Sequence, residues 1–286
     1  MTMREVKSVF QSKPTIEGAG VRLKRAFGPS ELPMLDPFLL LDDFHSNNPD
    51  DYLAGFPWHP HRGMETITYM LNGMVEHEDS LGNKGVIKTG DIQWMTAGSG
   101  IIHQEMPIRT MGTLQGFQLW ANLPAAQKMM DPRYQEIQSN QIPTVKMSDG
   151  VEARVVAGQV DGAKGPVRDI VIDPQYLDIS ISPEGTFNHR VSPGHTVFSY
   201  VLDGSVTFGQ RSQQSVGRDS LVIFHDGESV LAKAGDTSAR FLLISGKPLK
   251  EAVAWYGPIV MNTQAELQKA FREFNSGTFV KKGKVQ

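Results

Sequence analysis

A repeated short segment constrains the fold of this chain more than any other feature. Residues 65–77 alternate apolar and polar side chains and contain Asn72-Gly73, a dipeptide typical of a tight turn between two strands. Residues 198–209 repeat the pattern 131 positions later. Each segment predicts a β-hairpin. Because five residues of the first segment match residues of the second in the same order, the repeat indicates duplication. We therefore expect two β-rich domains. The pattern pairs Tyr69 with Tyr200, Leu71 with Leu202, Asn72 with Asp203, Gly73 with Gly204 and Val75 with Val206.

Further turn signals predict short strands along most of the chain. Turns at Gly82 and Gly90, and the segment Gly98-Ser99-Gly100, separate short apolar runs. Short strands about eight to twelve residues apart are typical of all-β sandwiches and barrels. A stretch rich in proline, glycine and polar residues lies around 138–150, so we predict that the domains span residues 1–137 and 138–286.

One segment near the C-terminus predicts a helix, near 263–276. Its apolar residues recur with the spacing of one helix face. Thr263 and Glu266 form a capping-box pattern, and Gly277 is a typical stop. We expect the apolar stripe to dock on a domain of this chain. The stripe consists of Leu267, Ala270, Phe271 and Phe274.

Charge and composition exclude several classes of protein. The 286 residues carry 28 Lys and Arg against 31 Asp and Glu, without a long basic run, which argues against a nucleic-acid-binding protein. No apolar run reaches the ~20 residues that cross a bilayer, and the first ten residues lack the apolar segment of a signal peptide. Cysteine is absent, which suits a reducing compartment. We expect a monomeric cytoplasmic protein that contacts neither nucleic acid nor membrane.

Two short motifs carry metal-ligating side chains at strand spacing. His59 and His61 form the first motif, and His103 and Glu105 form the second. Residues two apart in a strand point to the same face, with Cβ atoms about 6.5–7 Å apart. Two such strands side by side would therefore direct four ligands to one point. Glu65 shares the strand parity of His61, so these patterns leave open which carboxylate binds.

Three imidazoles and one carboxylate suit a single divalent transition metal. Such a set leaves coordination positions open and accepts Fe, Mn, Co, Ni, Cu or Zn. Because the chain has no cysteine, a closed zinc site of the thiolate kind is excluded. His77 follows the turn in a polar run and is expected to be solvent-exposed. The remaining histidines have no partner at this spacing and are interpreted as structural: His45, His189, His195 and His225.

The repeat also predicts that the second domain has no metal. We align the two halves on the hairpin and on a downstream Gly-Asp match. In this alignment none of the four positions of the second half that correspond to the ligands carries a histidine or a carboxylate. A slip of one residue would bring His189 into alignment but would not restore the set. The aligned pairs are His59 with Arg190, His61 with Ser192, His103 with Leu231 and Glu105 with Lys233.

Five segments together resemble one protein family. They are LDPFLLLDDF (35–44), HPHRGMETITYMLNG (59–73), GDIQWMTAGSGIIHQEMP (90–107), LQGFQLWANLP (114–124) and YGPIVMNT (256–263). On these segments the chain resembles the pirins, members of the bicupin branch of the cupin superfamily, over nearly its whole length. The resemblance implies two stacked β-barrel domains of the cupin type, that is, double-stranded β-helices or jelly rolls, with a single iron in the N-terminal barrel.

The resemblance also implies a ligand set for that iron, Fe(II). Carried across by motif, the ligands are His59, His61, His103 and Glu105, and this favours Glu105 over Glu65. The departures from the family pattern are slight. Met64 and Ile259 stand where the family often has an aromatic residue, and neither position is a ligand.

Several pirins resemble quercetin dioxygenases in activity. The resemblance implies that the chain opens a flavonol-like substrate with O₂ and releases carbon monoxide. Such a reaction needs a redox-active metal with free positions and a base near the flavonol hydroxyl. Glu105 is our candidate for both metal ligation and proton abstraction, because a carboxylate can change between these roles.

Two other functions remain open at this point. Other pirins resemble non-enzymatic regulators that bind a transcription factor or a metabolic enzyme and respond to the oxidation state of the iron. A zinc-dependent sugar-phosphate isomerase of the cupin type is a third hypothesis. It is disfavoured because the motif strands carry no cluster of basic residues beyond Arg62. We rank the dioxygenase first and the regulator second.

Overall fold

Strands dominate the structure, a computed structural model that describes residues 2–29, 35–110, 112–147, 150–212 and 214–281. The expectation of an all-β fold with few helices is therefore confirmed. The first half contains β1 (Val6–Gln11), β2 (Lys13–Glu17), β3 (Val21–Phe27), β4 (Phe38–Ser46), β5 (Phe56–His61), β6 (Met64–Asn72), β7 (Val75–Asp79), β8 (Lys84–Ile87), β9 (Ile92–Thr96), β10 (Ile101–Pro107), β11 (Leu114–Asn122) and β12 (Arg133–Ile137). The second half contains β13 (Thr144–Lys146), β14 (Val151–Ala157), β15 (Gln159–Val160), β16 (Ala163–Lys164), β17 (Gln175–Ile181), β18 (Thr186–Arg190), β19 (Thr196–Asp203), β20 (Ser205–Phe208), β21 (Ser215–Gly217), β22 (Ser220–Phe224), β23 (Ser229–Ala234), β24 (Ala239–Gly246), β25 (Ala254–Tyr256), β26 (Ile259–Met261) and α1 (Gln264–Asn275). Short 3₁₀ helices span Pro49–Asp51, Ala125–Gln127 and Ser139–Gln141.

The chain forms two compact units, each assembled from separate parts of the sequence. The chain passes from one unit to the other near residue 140, close to the predicted boundary. The units are not the two consecutive segments 1–137 and 138–286, however, because the N-terminal strand belongs to the unit of the second half and the C-terminal helix to the unit of the first half. The N-unit consists of Pro14–Met34, Phe38–Ser139 and Leu249–Gln286, and the C-unit consists of Met1–Lys13, Leu35–Pro37 and Asn140–Pro248.

Strand pairing and apolar packing account for the placement of both termini. β1 pairs antiparallel with β22 and forms an edge of the larger sheet of the C-unit. β25 and β26 pair with each other in the N-unit, where α1 packs on them and on Ile102 of β10. The composition of residues 138–150 indicates a boundary between segments, but it carries no information about which distant strands pair with each other.

The two units have the same sheet topology. Each contains a seven-stranded and a four-stranded sheet, and each strand of these two sheets has a counterpart in the other unit. The two-stranded sheets β15-β16 and β25-β26 lie outside this correspondence. In the N-unit the orders are β12-β9-β6-β11-β4-β3-β2 and β5-β10-β7-β8, and in the C-unit they are β1-β22-β19-β24-β17-β14-β13 and β18-β23-β20-β21.

The hairpins predicted at Asn72-Gly73 and Asp203-Gly204 are wrong as strand pairs, although the turns are present. β6 pairs with β9 and β11, whereas β7 pairs with β8 and β10, so the turn carries the chain from one sheet to the other. β19 and β20 are related in the same way. Because β6 already has a neighbour on each edge, no edge remains for β7. Gly73 takes a φ of 89°, which only glycine adopts readily.

The C-terminal helix matches its prediction closely. Thr263 accepts a hydrogen bond from the backbone of Glu266, whose carboxylate accepts one from the backbone of Thr263, which completes the capping box. The docking is confirmed for three residues of the apolar stripe, Leu267, Ala270 and Phe271, which pack within the N-unit. The fourth, Phe274, is 37 % exposed. Within the described ranges, no helix is long and apolar enough to span a membrane.

Candidate metal centre

Neighbouring strands bring the two histidine motifs together. β5 and β10 pair antiparallel, and His59 lies directly opposite His103. His61 lies opposite Ile101 and, two residues from His59, points to the same face of the four-stranded sheet. The adjacency that the sequence spacing predicted is therefore present.

The three histidine rings converge on one point. Their centroids are 4.8 Å apart for His59 and His61, 4.5 Å for His59 and His103, and 5.0 Å for His61 and His103. One ring nitrogen from each lies within 4.8 Å of the others. Within the part of the chain that the structure describes, these histidines form the only cluster of potential ligands of this kind. The geometry can hold a single metal ion.

The electrostatics of the cluster suit a metal. Burial, and then the neighbouring histidines, lower the pKa of His61 and His103 well below the usual value, so both rings are neutral at pH 7. Both ring nitrogens of His103 are buried and have no hydrogen-bond partner. A buried polar atom without a partner is costly, and a metal bound to one of these nitrogens would remove part of that cost. Nδ1 of His59 lies 2.9 Å from the carbonyl oxygen of Pro57, and its Nε2 lies 3.0 Å from Nε2 of His61, so the two Nε2 atoms face each other within the cluster.

Glu105 shares a strand with His103 but is not a member of the histidine cluster. Its side chain is only 4 % exposed. Thr68 donates a hydrogen bond to Oε1 at 3.1 Å, and Gln118 donates one to Oε2 at 2.8 Å. In the arrangement that the structure shows, two neutral donors therefore hold this carboxylate. Its assignment as a metal ligand and as a catalytic base stays a prediction.

The alternative carboxylate, Glu65, faces other partners. It lies on β6 and accepts a hydrogen bond from Thr96 at 2.6 Å. Burial raises the pKa of Glu65. Because β6 belongs to the seven-stranded sheet and β5 to the four-stranded one, shared strand parity with His61 does not bring the two side chains together. Like Glu105, Glu65 is outside the histidine cluster.

A cavity of about 510 Å³ in the N-unit opens onto His59 and His61. Trp120 and Trp255 form part of its wall with ring centroids 6.3 Å apart, and the ring of Trp120 stands edge-on to His61 at 5.1 Å. Three charged side chains line the cavity, and they are paired with one another. Arg25 makes two hydrogen bonds to Asp42 at 2.8 and 2.7 Å and an ion pair with Glu17 at 2.9 Å. The cavity therefore presents mainly aromatic and apolar surface next to the histidines.

Sequence reasoning assigned no role to the two tryptophans or to Gln118. Trp120 and Gln118 lie in the segment 114–124, which supported the family resemblance without indicating which side chains face a pocket. The alternation along β11 was an available signal, because residues two apart share a face. Trp255 lies far along the chain, so only the structure brings it to the cavity.

The C-unit repeats the strand pair, and its register corrects the sequence alignment by one residue. β18 pairs with β23 as β5 pairs with β10. A fixed offset fails because the connecting segments differ in length between the repeats. The registers make His189 the counterpart of His59, Val230 that of His103 and Ala232 that of Glu105, in place of Arg190, Leu231 and Lys233.

Known proteins resemble the chain over almost its whole length. A protein of Pseudomonas aeruginosa, provisionally named quercetin 2,3-dioxygenase, is 42% identical, and the match covers 96% of this chain and 97% of that protein. A pirin-like protein of Caulobacter vibrioides is also 42% identical, with coverage of 98% and 100%. The crystal structure of a quercetin 2,3-dioxygenase from Acinetobacter baumannii has a TM-score of 0.88 and 34% identity, and the match covers 97% of this chain and 98% of that one.

Family models match both halves of the chain. Residues 20–121 match the model described as Pirin, and residues 176–280 match the model described as Pirin C-terminal cupin domain. The expected fold of two cupin-type domains is thereby confirmed, together with the resemblance that predicted it. The chain belongs to the pirin family.

Proposed function

We propose that the protein is a metal-dependent dioxygenase that opens flavonols such as quercetin with O₂ and releases carbon monoxide. The observation that carries the proposal is a cluster of three buried or half-buried histidines beside an aromatic-walled cavity of about 510 Å³. The provisional names of the relatives from P. aeruginosa and Vibrio cholerae point in the same direction.

In this proposal His59, His61, His103 and Glu105 hold one Fe(II) ion. A redox-active ion at this position would supply open coordination sites and electron transfer towards O₂. The neutral state of His61 and His103 leaves a nitrogen lone pair free on each ring for the ion. Fe(II) follows from the family, since the same residues accept other divalent metals.

The other residues of the site bind and orient the substrate. The walls formed by Trp120 and Trp255 would pack against the planar rings of a flavonol and exclude water from the histidines. Arg25 is paired with both Asp42 and Glu17, so no positive charge at this wall is free to attract a phosphate or carboxylate, which favours a substrate without an anionic group. Glu105 takes the proton of the flavonol hydroxyl, so that the substrate enters the reaction as an electron-rich anion.

Anaerobic reconstitution with Fe(II), followed by quercetin and O₂, tests the proposal. We expect loss of the flavonol absorbance with one carbon monoxide released per flavonol. His103→Ala should lower the affinity for Fe(II) by more than about 100-fold, beyond the usual cost of losing an outer-sphere partner, and abolish turnover. His189→Ala, a histidine-to-alanine change at the C-unit counterpart of His59, should retain both Fe(II) affinity and turnover.

One outcome would contradict the enzymatic proposal and favour the alternative. If the protein binds one iron per chain but leaves flavonols intact, the redox-dependent regulator becomes the better hypothesis. A binding partner would then be sought separately for the oxidised and reduced forms.

A further inference from the structure

A chain of hydrogen bonds joins the cavity wall to Glu105. The indole Nε1 of Trp120 donates to Oε1 of Gln118 at 2.9 Å. Because an indole N–H can only donate, the oxygen of the Gln118 amide must face Trp120. The amide nitrogen then faces Glu105 and donates to it at 2.8 Å. The orientation of the Gln118 amide therefore follows from its partners.

Each carboxylate oxygen of Glu105 has a hydrogen-bond partner other than the histidines. Thr68 occupies one carboxylate oxygen and Gln118 the other. Hydrogen bonds to a charged group are each worth about 1.5–3 kcal/mol, roughly ten- to a hundredfold in an equilibrium. A move of this carboxylate towards the histidines, or towards a substrate hydroxyl, must therefore break or exchange the bond from Gln118.

Gln118 also lies between two spaces within the N-unit. It lines the large cavity together with His59 and His61. It also lines a small void of about 20 Å³ that Glu105 and Thr68 line. Glu105 does not line the large cavity, so Gln118 is the polar side chain that faces both the substrate space and the carboxylate.

The C-unit shows that the fold does not require this arrangement. The register there places Leu243 opposite Ser199, as it places Gln118 opposite Thr68 in the N-unit. With Ala232 as the counterpart of Glu105, the C-unit has neither the carboxylate nor the amide donor. The set of Thr68, Glu105 and Gln118 thus occurs only in the unit that carries the histidine cluster.

We infer that Gln118 is a positioning residue that controls the place of Glu105. With its amide oriented by Trp120, Gln118 holds the carboxylate apart from the three histidines and releases it when that hydrogen bond is exchanged. Glu105 can then change between a position on Thr68 and Gln118 and a position at the metal. That this movement of Glu105 takes part in turnover rests on the proposed dioxygenase function. That Gln118 restrains Glu105 does not rest on it.

Titration of the full-length apoprotein with Co(II), followed by its visible absorption, tests the inference without any turnover. Gln118→Leu removes the donor, so Glu105 no longer loses that bond when it reaches the metal. We expect Co(II) to bind about tenfold more tightly, the weaker end of the range for a bond to a charged group. Gln118→Met keeps the side-chain length and should behave alike if Gln118→Leu folds poorly.

Three further variants separate this role from a general structural effect. In Glu105→Gln, the gain caused by Gln118→Leu should vanish, because no carboxylate remains to be released. Trp120→Phe alone should produce part of the gain in Co(II) affinity. Added to Gln118→Leu, it should produce no further gain. Gln115→Leu, the same change on the same strand, should leave Co(II) binding unaltered.

The outcomes distinguish this inference from the proposed function. Unchanged or weaker Co(II) binding in Gln118→Leu and Gln118→Met, or a gain that persists in Glu105→Gln, would overturn the role of Gln118. Such a result would leave flavonol turnover by the unaltered protein untouched. Conversely, if the variants change Co(II) affinity as expected but the unaltered protein does not turn over flavonols, the role of Gln118 is supported and the dioxygenase function is refuted.

Discussion

The N-unit and the C-unit share one topology but fill their interiors differently. Between the sheets of the C-unit, Phe241 packs against Phe187 and Phe208, with ring centroids 5.8 and 5.2 Å away, and all three side chains are fully buried. The N-unit has the histidine cluster and the large cavity instead. Since the strand order is the same, the difference must come from a few inward positions rather than from the architecture.

One pair of counterparts shows how a single position changes the interior. Phe241 lies opposite Val201 in the C-unit, and Gly116 lies opposite Met70 at the same place in the N-unit. A Cβ at Gly116 would come within 2.5 Å of the ring of Phe44. The absence of a side chain there lets the Phe44 ring, which lines the cavity, lie against the strand.

The units also differ in the charge that they bury. Among the described residues, Arg4 and Asp178 are the buried charged side chains of the C-unit. Buried charge is costly unless it is paired, so the N-unit must supply partners for more buried ionisable groups than the C-unit does. The expectation of a solvent-exposed His77 is wrong, because this side chain is buried beside Glu136. Counting histidine as ionisable, the N-unit buries Asp42, Asp43, His61, Arg62, Glu65, His77, Asp79, His103, Glu105 and Lys128.

The largest predicted effect on stability concerns the aromatic core of the C-unit. Phe241→Ala should destabilise the protein by about 3–5 kcal/mol, because it removes a fully buried ring and leaves a cavity between two others. Urea unfolding followed by far-ultraviolet circular dichroism measures the loss. Metal content should stay at that of the unaltered protein. An unchanged unfolding midpoint would show that the C-unit does not depend on this packing.

Local pattern predicted the parts of the fold that depend on neighbours in sequence. The turns at Gly73 and Gly204, the helix after Thr263 and the shared face of His59 and His61 all follow from spacings of a few residues. These features were predictable because the chemistry of a turn, a cap or a strand face is local.

The features that were mispredicted or missed depend on distant parts of the chain. The strands on either side of Gly73 join different sheets because β9 and β11 already flank β6. The alignment that paired His59 with Arg190 used a fixed offset, which the differing connections between strands do not respect. Gln118 carries no motif of its own, and its role becomes visible only when Trp120 and Glu105 are placed beside it.

A second prediction concerns the buried ammonium group of the N-unit. Lys128 donates to Asn122 and to the carbonyl oxygens of Gly63 and Val260, at 2.6, 2.8 and 3.1 Å respectively. Burial lowers the pKa of Lys128 to about 8 from 10.5. The unfolded chain therefore binds this proton more tightly, and the free energy of unfolding should rise by up to about 3 kcal/mol as the pH increases from about 8 to 10.5.

The difference between two lysine variants isolates this contribution. Lys128→Met should remove the rise and give a flatter dependence of unfolding free energy on pH over that interval. Lys269→Met, at an exposed position of α1, should keep the dependence of the unaltered protein. Equal slopes in all three proteins would show that Lys128 keeps its ordinary pKa in the folded state.

The smallest predicted effect tests whether the C-terminal helix stabilises the N-unit. Thr263→Ala removes one half of the capping box and should cost about 1 kcal/mol. All four tryptophans, Trp58, Trp94, Trp120 and Trp255, lie in the N-unit, so their fluorescence reports on its unfolding.

The fluorescence midpoint in urea should fall for Thr263→Ala and return for Thr263→Ser, which keeps the hydroxyl acceptor. Thr237→Ala, at an exposed position of the C-unit, should leave it unchanged. If Thr263→Ala also leaves the midpoint unchanged, the capping box contributes nothing measurable to the stability of the N-unit. The helix would then be held by the burial of Leu267 and Ala270 against β25 and β26 rather than by its cap.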